Sequence, residues 1–212
     1  MTWIGGDTVS VRQSLLAILQ LGPCYGYQLG AEFTRRSGAS VPLNAGQIYN
    51  TLDRLERDAL VTKREPDADG QVFYEITAAG RRDVADWFGS SESRPDSQRD
   101  DMPSKIALAV TLPGLDVDAV IAAQRAATAG ALAEHKSALR QAGRPRSAEQ
   151  LATIVMIESR ILATEADLVW LDSVVAYLRD ASGSGDLVPL PLRSDLPRRG
   201  RPAKSVEPDA IG

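Results

Sequence analysis

One histidine, His135, and one cysteine, Cys24, are the chain's whole supply of the two residue types most used in nucleophilic, acid–base and metal chemistry. The sequence has no His cluster, Cys pair or His-Glu-x-x-His spacing, so no metal site is expected. Glycine-rich loops with phosphate-binding spacing are missing too, so no cofactor is expected. An enzyme would have to work with carboxylates alone, and no catalytic residue is assigned. A different chemistry gathers between Gly46 and Arg64. Gln47 and Asn50 carry amides that can pair bidentately with adenine, and Arg54 and Arg57 suit phosphate or guanine. Tyr49 lies among them, and Gly46 permits close backbone approach.

Those groups need a scaffold, and the surrounding pattern predicts one. Val11–Leu21 carries Leu15, Leu16, Ile18 and Leu19 as a helical stripe, with Ser10 as its N-cap and Gly22-Pro23 as its stop. A second helix is expected over residues 26–36, closed by Ser37-Gly38. The third has Asn44 as N-cap, Gln47 three residues on as in a capping box, and Leu43 placed to staple onto Ile48. Its apolar face is Ile48, Leu52, Leu55 and Ala59. At about 100° per residue, Gly46, Asn50, Asp53 and Arg57 fall opposite, flanked by Gln47, Tyr49 and Arg54. Leu60–Arg64 and Gln71–Thr77 flank a Pro/Asp/Gly turn and read as a β-hairpin. A helix over 78–88 follows, capped by Thr77. The fold class is mainly α: an N-terminal winged helix-turn-helix with a β-hairpin wing, then a long-helix segment.

Several stretches carry a family resemblance. Leu15–Leu19, Gly22-Pro23-Cys24-Tyr25-Gly26-Tyr27-Gln28-Leu29, Gly46-Gln47-Ile48-Tyr49, Leu52–Glu56, Leu60-Val61 and Tyr74–Thr77 with Gly80 resemble PadR-family transcriptional regulators. The resemblance spans residues 12–82. It implies a winged helix followed by a helical dimerisation segment, double-stranded DNA as partner, and repression as the sign of regulation. It also supports Tyr49 as a DNA contact. Two departures stand out. Asn50 follows Tyr49 where many family members have proline, and the wing tip, Glu65–Asp69, is acidic. Wing contacts would then come from Lys63, Arg64 or Gln71.

Tyr25, Tyr27 and Gln28 begin the second helix, which crosses the DNA backbone in this motif, so their polar groups are further DNA-binding candidates. For the tyrosines, half-buried packing is the competing reading. Residues 1–90 hold nine Lys and Arg against eleven Asp and Glu. That balance is opposite to most DNA-binding domains. Affinity must come from a local patch: Arg12, Arg35, Arg36, Arg54, Arg57, Lys63 and Arg64. A winged-helix module that binds protein rather than DNA is the alternative.

The remaining chain divides by composition into a polar linker at 91–101, a helical dimerisation domain at 102–182 and a Pro/Arg-containing tail at 183–212, expected to be disordered. Leu115–Ala142 and Ser147–Ala181 read as long helices. On the second, Ile154, Ile161, Leu168 and Val175 form one heptad row, Ile157, Leu171 and Leu178 another, and Val155, Leu162, Val169 and Ala176 a third. A helix apolar around so much of its circumference needs partners, which implies a homodimer. Glu158, Glu165 and Asp172 lie within that arc, expected to be partly buried, with Arg125, His135 and Arg140 as candidate partners. Their alternative is a cavity with Trp170 and Tyr177 for a cationic or planar small-molecule effector. In the tail, Pro197-Arg198-Arg199-Gly200-Arg201-Pro202 resembles the AT-hook, adding Arg199 and Arg201 as DNA-binding candidates. The longest apolar runs, such as Ile106–Leu112, are too short for the ~18 residues of a membrane span. With a lone cysteine and no signal peptide seen, a reducing, cytoplasmic location is expected.

Overall fold

Apolar spacing decides which faces meet. In the computed structural model, which describes residues 9–38, 42–68, 70–90, 101–184 and 188–193, Leu15, Leu16, Ile18 and Leu19 of α1 (Val9–Leu19) are fully buried. Ser10 lies inside this helix rather than capping it. The chain continues through β1 (Cys24–Tyr25), α2 (Gly26–Ser37) and α3 (Ala45–Arg57). Next come β2 (Val61–Lys63), β3 (Phe73–Ile76) and α4 (Ala78–Gly89). The three strands form one antiparallel sheet in the order β1-β3-β2. Cys24 faces Tyr74 across it, and Val61 faces Ile76. β1 is absent from the sequence reading because two residues carry no period.

Helix α3 starts as its sequence requires. The Asn44 side chain accepts from the Gln47 amide at 2.9 Å, and the Gln47 side chain accepts from the Asn44 amide at 3.1 Å. Ile48, Leu52 and Leu55 are buried. Ala59 departs from the expected apolar face. The helix stops at Arg57, and Ala59 is exposed at φ 56, with Leu60 N–H donating to Leu55 and Ala59 N–H to Glu56. That is a Schellman ending made with alanine instead of the usual glycine. Thr77 then links the end of α3 to α4. Its amide and hydroxyl donate to the Leu60 carbonyl, and its hydroxyl accepts from Gly80 N–H at 3.1 Å. A Cβ on Gly80 would sit 2.3 Å from the Leu60 carbonyl oxygen, so only glycine fits there.

Three more helices follow among the described residues: α5 (Asp101–Thr111), α6 (Val117–Ala142) and α7 (Ala148–Ser184). α5 was not anticipated. Leu108, Ala109 and Leu112 join the same core as α1–α4, so the winged helix does not end at residue 90. Helices α6 and α7 pair as an antiparallel hairpin. Ile161, Thr164 and Leu171 are buried; Ile106 and Ile121 pack with Leu171. Asp172 pairs with Arg125 at 2.8 Å, a partner anticipated from sequence, and Glu165 pairs with Lys136 at 2.7 Å. Asp172 and Glu158 are exposed in the single chain, contrary to the burial expected.

Residues 188–193 correct the expectation of a disordered tail from 183 onward. Leu190 N–H donates to the Thr111 carbonyl at 3.1 Å, and Leu192 packs on the core beside Gly22. Arg36 donates to the carbonyls of Thr111, Leu190 and Pro191. Composition undervalued this segment because buried guanidinium and amide groups supply the hydrogen bonds that an extended proline-containing strand cannot make to itself.

Lys105 is buried where α5 meets α4. Its ammonium donates to the Ser90 carbonyl and lies 5.5 Å from the Trp87 ring centre. Burial pulls its pKa from 10.5 down to about 8. Below pH 8 the lysine is charged in both states and the fold carries the full desolvation penalty. Between pH 8 and 10.5 the unfolded chain binds the extra proton, so stability contributed at this site rises with pH, by up to about 3 kcal/mol. Lys105→Met should therefore unfold at higher urea than the parent at pH 7, with the advantage shrinking by pH 10. A less stable variant at pH 7 would mean that the contacts to Ser90 and Trp87 outweigh desolvation.

Candidate nucleic-acid interface

Burying Ile48, Leu52 and Leu55 turns the rest of α3 outward. Gly46, Tyr49, Asn50, Asp53, Arg54 and Arg57 are all exposed, at a spacing that makes one continuous solvent face. Tyr49 is 47% exposed, and its ring lies over Gly26, where an added Cβ would fall 2.8–2.9 Å from the ring. Gly30 plays a similar part, because a Cβ there would meet Ile48 Cδ1 at 2.6 Å. These contacts explain the glycines of the Gly-Tyr-Gln-Leu-Gly stretch. They seat α2 against α3 and fix the ring of Tyr49 at the start of α2. Gln47 is partly committed, since its carbonyl oxygen caps the helix while its amide NH2 remains available.

The other candidates divide. Tyr27 is 43% exposed beside Tyr49, whereas Tyr25 is half-buried with its ring edge-on to Phe73 at 5.6 Å. Packing, the competing reading for Tyr25, matches this placement. Gln28 leaves the set. It is buried, and its amide donates to the Arg193 carbonyl at 2.9 Å. Lys63 pairs with Glu56 and Asp53, and Arg64 with Glu75 at 2.7 Å, so both wing cations are held by neighbouring carboxylates. The wing turn is closed by the Asp67 carboxylate accepting from Gln71 N–H at 2.9 Å. Arg199 and Arg201 lie outside the described residues.

The basic patch expected from sequence is dispersed. Arg12 pairs with Asp58 and Asp83. Arg36, 1% exposed, pairs with the fully buried Glu32 at 2.8 Å, and Arg35 pairs with Glu32 at 3.0 Å. Sequence reasoning missed this buried cluster; the i, i+4 spacing of Glu32 and Arg36 was the available signal. Cys24 is buried beside it. Burial, reinforced by Glu32 and opposed by Arg36, pushes its thiol up to about 12, which keeps it protonated and unreactive.

Trp170 and Tyr177 do not converge on a cavity. Trp170 packs with the Ile121–Leu171 cluster, and Tyr177 is 74% exposed. A shallow groove of about 320 Å³ between the α5–α6 turn, Leu178 and Pro189 contains neither. Among the described residues, no helix is long and apolar enough to cross a membrane.

A three-helix core, a glycine-seated α3 with an exposed polar face, and a short antiparallel wing define a winged helix-turn-helix. Residues 15–86 match the model of the transcriptional regulator PadR-like family. Among solved structures, the chain is similar to Bacillus subtilis PadR in complex with operator DNA: 17% identity, TM-score 0.37, covering 81% of this chain and 99% of that one. The same protein with p-coumaric acid gives 18%, 0.35, 82% and 99%. A transcriptional regulator from Clostridium thermocellum gives 20%, 0.36, 40% and 84%. No curated protein matches.

Proposed function

We propose that this chain is a homodimeric, sequence-specific DNA-binding transcriptional regulator that represses by occupying its operator, without enzymatic activity. The observation that carries this reading is the exposed face of α3. Gly46, Tyr49, Asn50, Arg54 and Arg57 stand outward on a helix whose opposite face is locked into the core. The N-terminal half of such a helix enters the major groove, where Asn50 and the amide of Gln47 meet base edges. Tyr27 and Tyr49 would meet the adjoining backbone. Lys63 and Arg64 contribute only if phosphates displace Glu56 and Glu75.

The exposed aliphatic stripe of α7 supports the dimeric part of this reading. Leu151, Val155, Leu162 and Val169 are 51–67% exposed, although each is aliphatic. Met156 and Tyr177 lie beside this stripe, exposed as well. A second copy would cover it, and two α3 helices would then address two half-sites.

The paired state of the wing cations favours one alternative, a winged helix that binds protein. Salt separates the two, because phosphate contacts make affinity fall steeply from low to physiological salt. The test starts with genomic fragments selected by the full-length protein. On such a fragment, Tyr49→Ala and Arg54→Ala should each weaken binding by roughly 1–3 kcal/mol while leaving helicity unchanged. Unchanged affinity in both variants would remove α3 as the reading surface, and failure to select any fragment would favour the protein-binding module.

A further inference from the structure

We propose that residues 188–193 are a brace that fixes the winged helix on the root of the long C-terminal helices, and thereby sets how far apart and which way the two α3 helices of a dimer face. The inference rests on the dimeric DNA-binding reading above and adds to it the device that selects half-site spacing.

Helix α2 is gripped from two sides. Gly26 and Gly30, one turn apart, receive Tyr49 and Ile48 of α3. Gln28, Glu32 and Arg36 recur every four residues on the other side, Gln28 standing about 200° round the helix from Gly26. This second face holds the brace. Arg36 donates to the Leu190 and Pro191 carbonyls at 2.8 and 3.2 Å, and Arg35 donates to Pro191. Arg193 N–H donates to Glu32 at 3.1 Å, and the Gln28 amide donates to the Arg193 carbonyl at 2.9 Å. Leu192 adds an apolar anchor in the core beside Gly22. Pro189 and Pro191 bring no N–H in need of a partner and restrict the free segment, which lowers the entropy lost when it docks. The buried Glu32–Arg36 pair needs these bonds in turn, because charges removed from water are costly unless further hydrogen bonds satisfy them.

The same segment also reaches the C-terminal helices. Leu190 N–H donates at 3.1 Å to the carbonyl of Thr111, the last residue of α5, which accepts from Arg36 as well. Pro189 lines the groove between Leu115 and Val117, where α6 begins, and Leu178 and Ser182 of α7. Six residues thus tie α2, which seats the reading helix, to the ends of α5 and α7. Elsewhere Leu171 packs α7 on Ile106 and Ile121. Apolar contact is non-directional, so the directed hydrogen bonds of the brace fix the angle between winged helix and α7. In a dimer joined along α7, that angle decides where each α3 points. A fixed angle fits one half-site spacing and misfits the others. A loose one spreads the second α3 over many positions and lowers its effective concentration at the correct half-site.

The test uses full-length protein and one selected genomic fragment with two half-sites, remade with one to five base pairs inserted between them, together with a fragment carrying a single half-site. Two variants loosen the brace while keeping both Glu32 and Arg36. One is Gln28→Ala with Leu192→Ser; the other is Leu190→Pro, which deletes the donor to Thr111. Hydrogen exchange at the Arg193 amide reports release, circular dichroism the fold, sedimentation the dimer, and fluorescence anisotropy the affinities. Inserting five base pairs turns one half-site by about half a helical turn, and the parent should lose about 100-fold in affinity. Both variants should lose about tenfold or less across the series, because a loose joint follows the displaced site. They should bind the original spacing several-fold more weakly than the parent and match it on the single half-site. A released segment with an unchanged spacing profile would overturn the proposal, as would an Arg193 amide that stays protected in both variants. A parent that binds single half-sites but ignores their spacing would remove the paired-α3 reading and the brace with it, leaving α3 as the reading surface. A parent that binds no fragment would remove the DNA-binding reading itself.

Discussion

Arg36→Ala should lower the unfolding free energy by about 3–5 kcal/mol, a large part of what a domain of this size possesses. The substitution leaves Glu32 as a buried carboxylate without its i+4 partner, and it strands the carbonyls of Thr111 and Leu190 that Arg36 binds. Unpaired buried groups forfeit their hydration with nothing in return. The same guanidinium touches α2, the end of α5 and residues 190–191, so its loss should loosen all three together. Urea denaturation followed by circular dichroism gives the free energy, and proteolysis within 188–193 reports release of that segment from α2. Replacing both partners, Glu32→Leu with Arg36→Met, should recover much of the stability, because no fully buried charge remains and Arg35, which also loses Glu32, is part-exposed. If Arg36→Ala changes the urea midpoint by less than the equivalent of about 1 kcal/mol, the cluster is hydrated and does not hold residues 188–193.

The elements around that cluster show what a sequence discloses. Helix α3 was legible because three independent signals agree there: the Asn44–Gln47 box, the 4-3 spacing of Ile48, Leu52 and Leu55, and the staple position of Leu43. Its outward face followed from geometry alone. Gly26, Gly30 and Gly80 were visible as part of a motif, but not their reason, which is the approach of Tyr49, Ile48 and the Leu60 carbonyl from elsewhere in the chain. Charges misled most. Arg12, Arg35, Arg36, Lys63 and Arg64 counted as one basic patch, yet each is committed to a carboxylate, and those pairings, apart from the two within α2, span distances in sequence that no period encodes. Residues 188–193 were misread for a related reason. A Pro-rich segment looks unable to bury itself, and what binds it is a buried pair of charges, Arg36 lying 154 residues before Leu190.

Leu162→Asp combined with Val169→Asp should turn a dimer into a folded monomer. In the single chain these side chains are 64% and 67% exposed, whereas Ile161, Thr164 and Leu171 make the contact with α6. The substitutions therefore leave the helical hairpin intact, and circular dichroism should register little change. In a two-fold dimer each position occurs twice. Fully burying a Leu or Val side chain is worth about 1.5–3 kcal/mol, so four lost side chains withdraw roughly 6–12 kcal/mol before any penalty for burying carboxylates. A nanomolar dimer is held by about 12 kcal/mol, so dissociation at micromolar concentration follows even at the lower bound. Sedimentation equilibrium of parent and variant is the direct measurement. DNA affinity should fall with it, because a monomer brings one α3 to one half-site and loses half of the phosphate contacts that a weakly charged domain depends on. A variant that stays dimeric with unchanged mass would place the interface elsewhere on the molecule. A parent that sediments as a monomer would leave the exposed α7 stripe without a second copy to cover it, and the paired half-site reading would fail with it.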